Sequence, residues 1–206
     1  MWSAGGPGHE PPDEEFYRRM SRPDNEIPVA LPLNVLLART DDAAIALLGL
    51  QVYSSGVAFE LAVRARAWSD DDGRGLHEMV FAHGRSASAL LFGVEFADGR
   101  RASNLHRFGP PDGSDIVFHA GGGGGDDRTV DQEWWLSPLP PEGPVRLVLS
   151  CAPLGIEETR TEVDGVAISR AALEVVTLWP WEPPDRDGGP PPPPDVPDGS
   201  WFADPR

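Results

Sequence analysis

The chain is 206 residues long with a formal net charge of -16, and 40% of it is hydrophobic, enough for one sizeable core and therefore one domain. All 17 basic residues are arginine, so a Walker A phosphate loop, a pyridoxal Schiff base and a lysine nucleophile are excluded. The negative balance repels phosphate backbones and anionic head groups, so nucleic acid and membrane surfaces are not expected partners.

Residues 1–26 mix Gly, Pro, Asp, Glu and Arg with few aliphatic side chains, a composition that predicts a disordered acidic arm. No basic, then apolar leader is visible, and no stretch reaches the ~20 apolar residues of a membrane span. Cys151 is the single cysteine and has no internal partner for a disulfide, which fits a reducing compartment, with the cytoplasm as the expectation.

Two apolar runs follow, 28–39 and 43–53, separated by a turn at Asp41 and Asp42. The Ala and Leu content of 43–50 also suits a buried helix; strand is preferred. Over 57–68, Val57, Phe59, Leu61 and Val63 alternate with Ala58, Glu60, Ala62 and Arg64, the period of a half-exposed antiparallel strand. Further strands are predicted at 89–96, 116–120, 133–136, 145–151 and 157–163. The glycines 121–125 between two of them read as a flexible hairpin loop. A short helix is predicted after Asp164 and Gly165, with Ser169 as its cap. Past Trp181 the sequence turns proline-rich and acidic, a coil or spacer that cannot join a sheet. The expectation is a mostly-β protein: an antiparallel two-layer β-sandwich, Ig-like or jelly-roll-like, over 27–181, with roughly seven to nine strands and one short C-terminal helix.

Motifs that carry chemistry are sparse. His77 and Glu78 precede His83 at a spacing two residues longer than a zincin pair, and His106 or His119 would have to meet them to complete a metal site; hydrogen-bonded loop histidines are the better reading. Asp70, Asp71 and Asp72 before Gly73 suggest a calcium loop, but with Gly73 at the sixth position Trp68 and Met79 fall where carboxylates belong. Acids directly after the glycine run would repel a phosphate. Cys151 is in phase with Val145, Leu147 and Leu149, as a small buried hydrophobe would be. Trp134 and Trp135 are adjacent, so on a strand they face opposite sides, and an outward one would stack on a sugar or anchor a protein partner unless a loop covers it.

The stretch from Thr159 to Gly165, that from Thr177 to Trp181, and the Trp134-Trp135 pair together resemble a family of uncharacterised actinobacterial proteins. The resemblance covers about residues 27–181; it implies a shared fold and host type and carries no catalytic residues across. The leading expectation is a non-catalytic binding or scaffolding module with a protein partner and no cofactor. The alternatives are a metal-dependent enzyme using His77, His83, His106 or His119 with Asp or Glu partners in loops, Asp70 and Asp72 among the metal candidates, and a small-ligand or carbohydrate site at Trp134 or Trp135.

Overall fold

The computed structural model describes residues 18–66, 69, 73, 75–81, 90–105 and 116–182. The strands are β1 (Glu26–Ile27), β2 (Val29–Arg39), β3 (Ala43–Val52), β4 (Val57–Ala65), β5 (Leu90–Glu95), β6 (Arg101–Ser103), β7 (Val117–Gly125), β8 (Thr129–Ser137), β9 (Pro144–Cys151), β10 (Ile156–Asp164) and β11 (Val176–Thr177). Helix α1 (Leu76–Phe81) follows β4, and α2 (Gly165–Ala172) follows β10. Five strands form one sheet in the order β2-β3-β4-β8-β7, four form a second in the order β10-β9-β5-β6, and β1 pairs with β11 in a small separate ribbon. Every strand pairing among the described residues is antiparallel. The predicted two-layer, mostly-β architecture is therefore the one the chain adopts.

Alternation explains the layering. Ile45, Leu47, Leu61, Val63 and Val130 from the larger sheet and Leu90, Phe92, Leu147 and Leu149 from the smaller are all buried in one continuous core. Phe92 crosses the interface into an aromatic group of the opposite sheet, 5.0 Å from Trp134, 5.3 Å from Phe118 and 6.1 Å from Phe59 between ring centroids. The contacts with Trp134 and Phe59 are edge-to-face, the arrangement the ring quadrupoles favour. The run 43–50, ambiguous between helix and strand, is strand because its neighbours on both sides supply a ladder from Ala43 to Val52.

The chain departs from expectation at four places. Glycines 121–125 belong to β7, and the hairpin turn falls one step later at Asp126, which accepts from the N–H groups of Arg128 and Thr129, both at 2.8 Å. Gly123 has φ +155°, and a Cβ there would overlap the Asp131 carbonyl, so the glycine serves close strand approach and not a floppy loop. The cap of α2 is Asp164, accepting from the Val166 N–H at 2.9 Å, while Ser169 lies inside the helix and donates to the Pro140 carbonyl. His77 sits on α1, a helix whose Leu76, Met79 and Val80 are buried at the spacing of one helical face. Residues 18–26 are seated on the protein, carried by hydrogen bonds and ion pairs that offset an apolar-poor composition.

A candidate binding trough across the five-stranded sheet

The outer face of the larger sheet follows from the register. Leu48 pairs with Glu60 and Glu60 with Glu133, while Ala58 pairs with Trp135 and Trp135 with His119. These side chains all leave the core side to Phe59, Leu61 and Trp134. A bulge interrupts the pairing between Leu48 and Leu50, where Gly49 adopts φ +56° and donates its N–H to Asn34 Oδ1 at 3.3 Å. There the face is hollowed into a trough of about 670 Å³ that touches all five strands, from Pro32 on β2 through Leu48, Ala58 and Glu133 to Gly121 on β7. Four strand spacings of ~4.8 Å make such a trough about 19 Å long, the length of about six extended residues.

One wall is Ser21 and Arg22, part of a strap, residues 18–26, laid over the sheet. The Trp135 indole N–H donates to the Arg19 carbonyl at 2.8 Å, and His119 Nε2 faces the Met20 carbonyl at 2.9 Å. Arg22 Nη2 stands 3.5 Å from Glu133 Oε2. Glu26 accepts from the Ser54 N–H at 2.9 Å and from the Ser54 hydroxyl. The far end of the strap meets the C-terminal segment: Asn25 accepts the Leu178 N–H and donates its side-chain amide to the Trp179 carbonyl, both at 2.8 Å, and the Arg18 guanidinium lies 4.7 Å over the Trp181 ring. Beneath the strap, Tyr53, Ala58 and Trp135 form a small second core. Burial pushes the Tyr53 phenol above its ordinary value, with the Arg22 charge opposing.

The two tryptophans face opposite sides, as adjacent strand residues must, and neither is exposed: Trp134 is 2% and Trp135 4% accessible. Trp134 is part of the inter-sheet core, and Trp135 is covered by the strap and by Tyr53, whose ring meets it edge-on at 5.8 Å. Neither offers an open face for stacking on a sugar. The role of Trp135 is to pin the wall of the trough. His77 packs on Phe81 one turn along its helix, with centroids 4.6 Å apart. His119 lies on β7, opposite Trp135 of β8. His83, His106, Asp70 and Asp72 lie outside the described residues. Among the described residues no three His, Cys, Asp or Glu side chains gather closely enough to hold a metal ion.

The residues that matter here escaped the sequence reading. Glu60 was legible as an outward position of the 57–68 alternation, but only the β4–β8 register sets Glu133 opposite it. Arg22 belonged to a segment read as disordered. Chemically the trough combines an apolar floor at Leu48 and Ala58, two carboxylates in adjacent strands, and one guanidinium supplied by the chain itself. Glu60 has no ion-pair or hydrogen-bond partner for its side chain among the described residues. No helix among those residues is long and apolar enough to cross a membrane. Compared with known proteins, the chain matches no family model, no curated sequence and no solved structure.

Proposed function

We propose that this chain is a non-catalytic binding module that takes an extended segment of a protein partner into the trough across its five-stranded sheet. The observation that carries the reading is the trough itself: a hollow of about 670 Å³ with an apolar floor and carboxylate sides, framed by a strap that hydrogen bonds fix in place. Its length suits an extended peptide of about six residues. The carboxylates and the charge of -16 favour a cationic partner and speed its encounter, while disfavouring nucleic acid.

The test is selection of random peptides displayed on phage against the folded chain and against Leu48→Arg, which puts a bulky cation into the trough floor from an outward, half-buried position. Enrichment by the parent that is lost in the variant, with circular dichroism unchanged, supports the reading. Enrichment that survives the substitution overturns it.

A further inference from the structure

We infer that Glu60 and Glu133 form a guanidinium subsite within the trough, held in the free chain by Arg22 of the strap and taken over by an arginine of the bound peptide. This rests on the binding reading above and names the chemistry of the partner. Two like charges directly opposite each other on neighbouring strands are unfavourable unless a cation lies between them, and the register puts these two carboxylates in that relation. The chain's own remedy is partial. Arg22 reaches Glu133 at 3.5 Å and leaves Glu60 without a partner among the described residues.

A planar guanidinium with five N–H donors can serve two carboxylates at once, which a lysine ammonium does less well. The Arg22–Glu133 contact is also the part of the strap most easily exchanged, since both side chains are about half exposed, at 51% and 53%. The strap itself is anchored elsewhere, through Trp135 to the Arg19 carbonyl and through Glu26 to Ser54, so Arg22 can swing out while the wall stays. The free chain thus shows its own arginine at Glu133, in a trough whose lining also holds Leu48 and Ala58, and the partner's pattern is an arginine with apolar neighbours in an extended segment.

The test is fluorescence-anisotropy titration of the full chain with a capped, dye-labelled peptide of alternating arginine and valine, beside one twin with citrulline and one with lysine in place of arginine. The expected result is binding about tenfold weaker for the citrulline twin, with the lysine twin between. Glu60→Gln should weaken the arginine peptide about tenfold and leave the citrulline twin unchanged. Arg22→Ala should strengthen the arginine peptide about two- to fivefold, the range an exposed ion pair allows, because the competing cation is gone. Glu157→Gln, the same charge change on an exposed position of β10, should change nothing. Equal binding of the arginine and citrulline peptides, both lost in Leu48→Arg, would overturn the guanidinium subsite and leave the trough reading standing. Equal weakening by Glu60→Gln and Glu157→Gln would reduce the effect to bulk charge and overturn the subsite as well. Weaker binding in Arg22→Ala would overturn the exchange. Binding of any peptide untouched by Leu48→Arg would overturn the trough reading on which the inference rests.

Discussion

The indole N–H of Trp135 donates to the carbonyl of Arg19 at 2.8 Å, tying the middle of the large sheet to a segment 116 positions away in sequence. That bond fixes the strap over the trough. It also places the scissile bonds after Arg18 and Arg19 under local protection. Trp135→Phe removes the donor, at a cost of about 1 kcal/mol to strap closure, and with it the part of the buried indole that reaches Gly56, a packing loss of its own. The expected outcome is trypsin cleavage at Arg18 or Arg19 at least about fivefold faster in native conditions, with a lowered melting temperature from the lost packing. An unchanged cleavage rate would mean that the strap is held by its other contacts alone.

The glycines of β7 make opposite demands within two positions. A Cβ on Gly123 would overlap the Asp131 carbonyl and crowd the Phe81 ring at φ +155°, whereas one on Gly122 meets nothing within 4 Å. Gly123→Ala should therefore destabilise by about 1–3 kcal/mol. Gly122→Ala should stabilise by about 0.4–1 kcal/mol, because it restricts only the unfolded chain. Urea titrations of the two variants beside the parent decide it. Equal effects of the same sign would show that β7 does not hold this register.

Much of the fold was written in period-two alternation. Where large apolar residues alternate with small or polar ones, as in 57–63, the strand and the face of its large side chains follow from sequence, and Phe59, Leu61 and Val63 are in the core. The glycine run misled because glycine carries no side chain to alternate; its strand character comes entirely from the partner strand, through Gly123 to Gln132, Gly124 to Asp131 and Gly125 to Val130. β6, with three residues, is too short to show a period, and β1 and β11 have two each, so these depend on tertiary pairing. The trough was illegible for a related reason. Glu60, Glu133 and Arg22 are far apart in sequence, and each alone is an ordinary surface charge; a site emerges only when the register and the strap bring them to one hollow.

The β7–β8 hairpin turn should be pH-sensitive. The Asp126 carboxylate accepts from the backbone N–H groups of Arg128 and Thr129 and from the Thr129 hydroxyl at 3.2 Å, and the Arg128 bond first, then that of Thr129, holds it below the ordinary aspartate value. A carboxylate depressed on folding contributes stability above its unfolded value, ~3.9, and loses that contribution as pH falls through the folded value. Asp126→Ala should thus melt below the parent at neutral pH, with the gap closing on acidification below about 4. A gap constant from neutral to strongly acidic pH would show that the carboxylate does not cap the turn.

Cys151 gives the opposite sign at the alkaline end. Its thiol is fully buried, 3.6 Å from the Met79 sulfur, and burial pushes its ionisation above the ordinary thiol value, with a bond from the Leu154 backbone partly opposing. The neutral thiol suits the core and the thiolate does not, so the unfolded chain ionises first as pH rises. The contribution is fully present below the unfolded value, ~8.5, and is lost as pH climbs toward the folded one. Cys151→Ala removes this linkage and adds only a pH-independent packing loss. Between about pH 8 and 10 the parent's unfolding free energy should therefore fall more steeply than the variant's. Iodoacetamide should label the native protein only at the rate of unfolding and the denatured chain at once. Rapid labelling of the native thiol would mean that the interface around α1 and β9 opens far more readily than its packing implies, and the difference in alkaline slope would vanish with it.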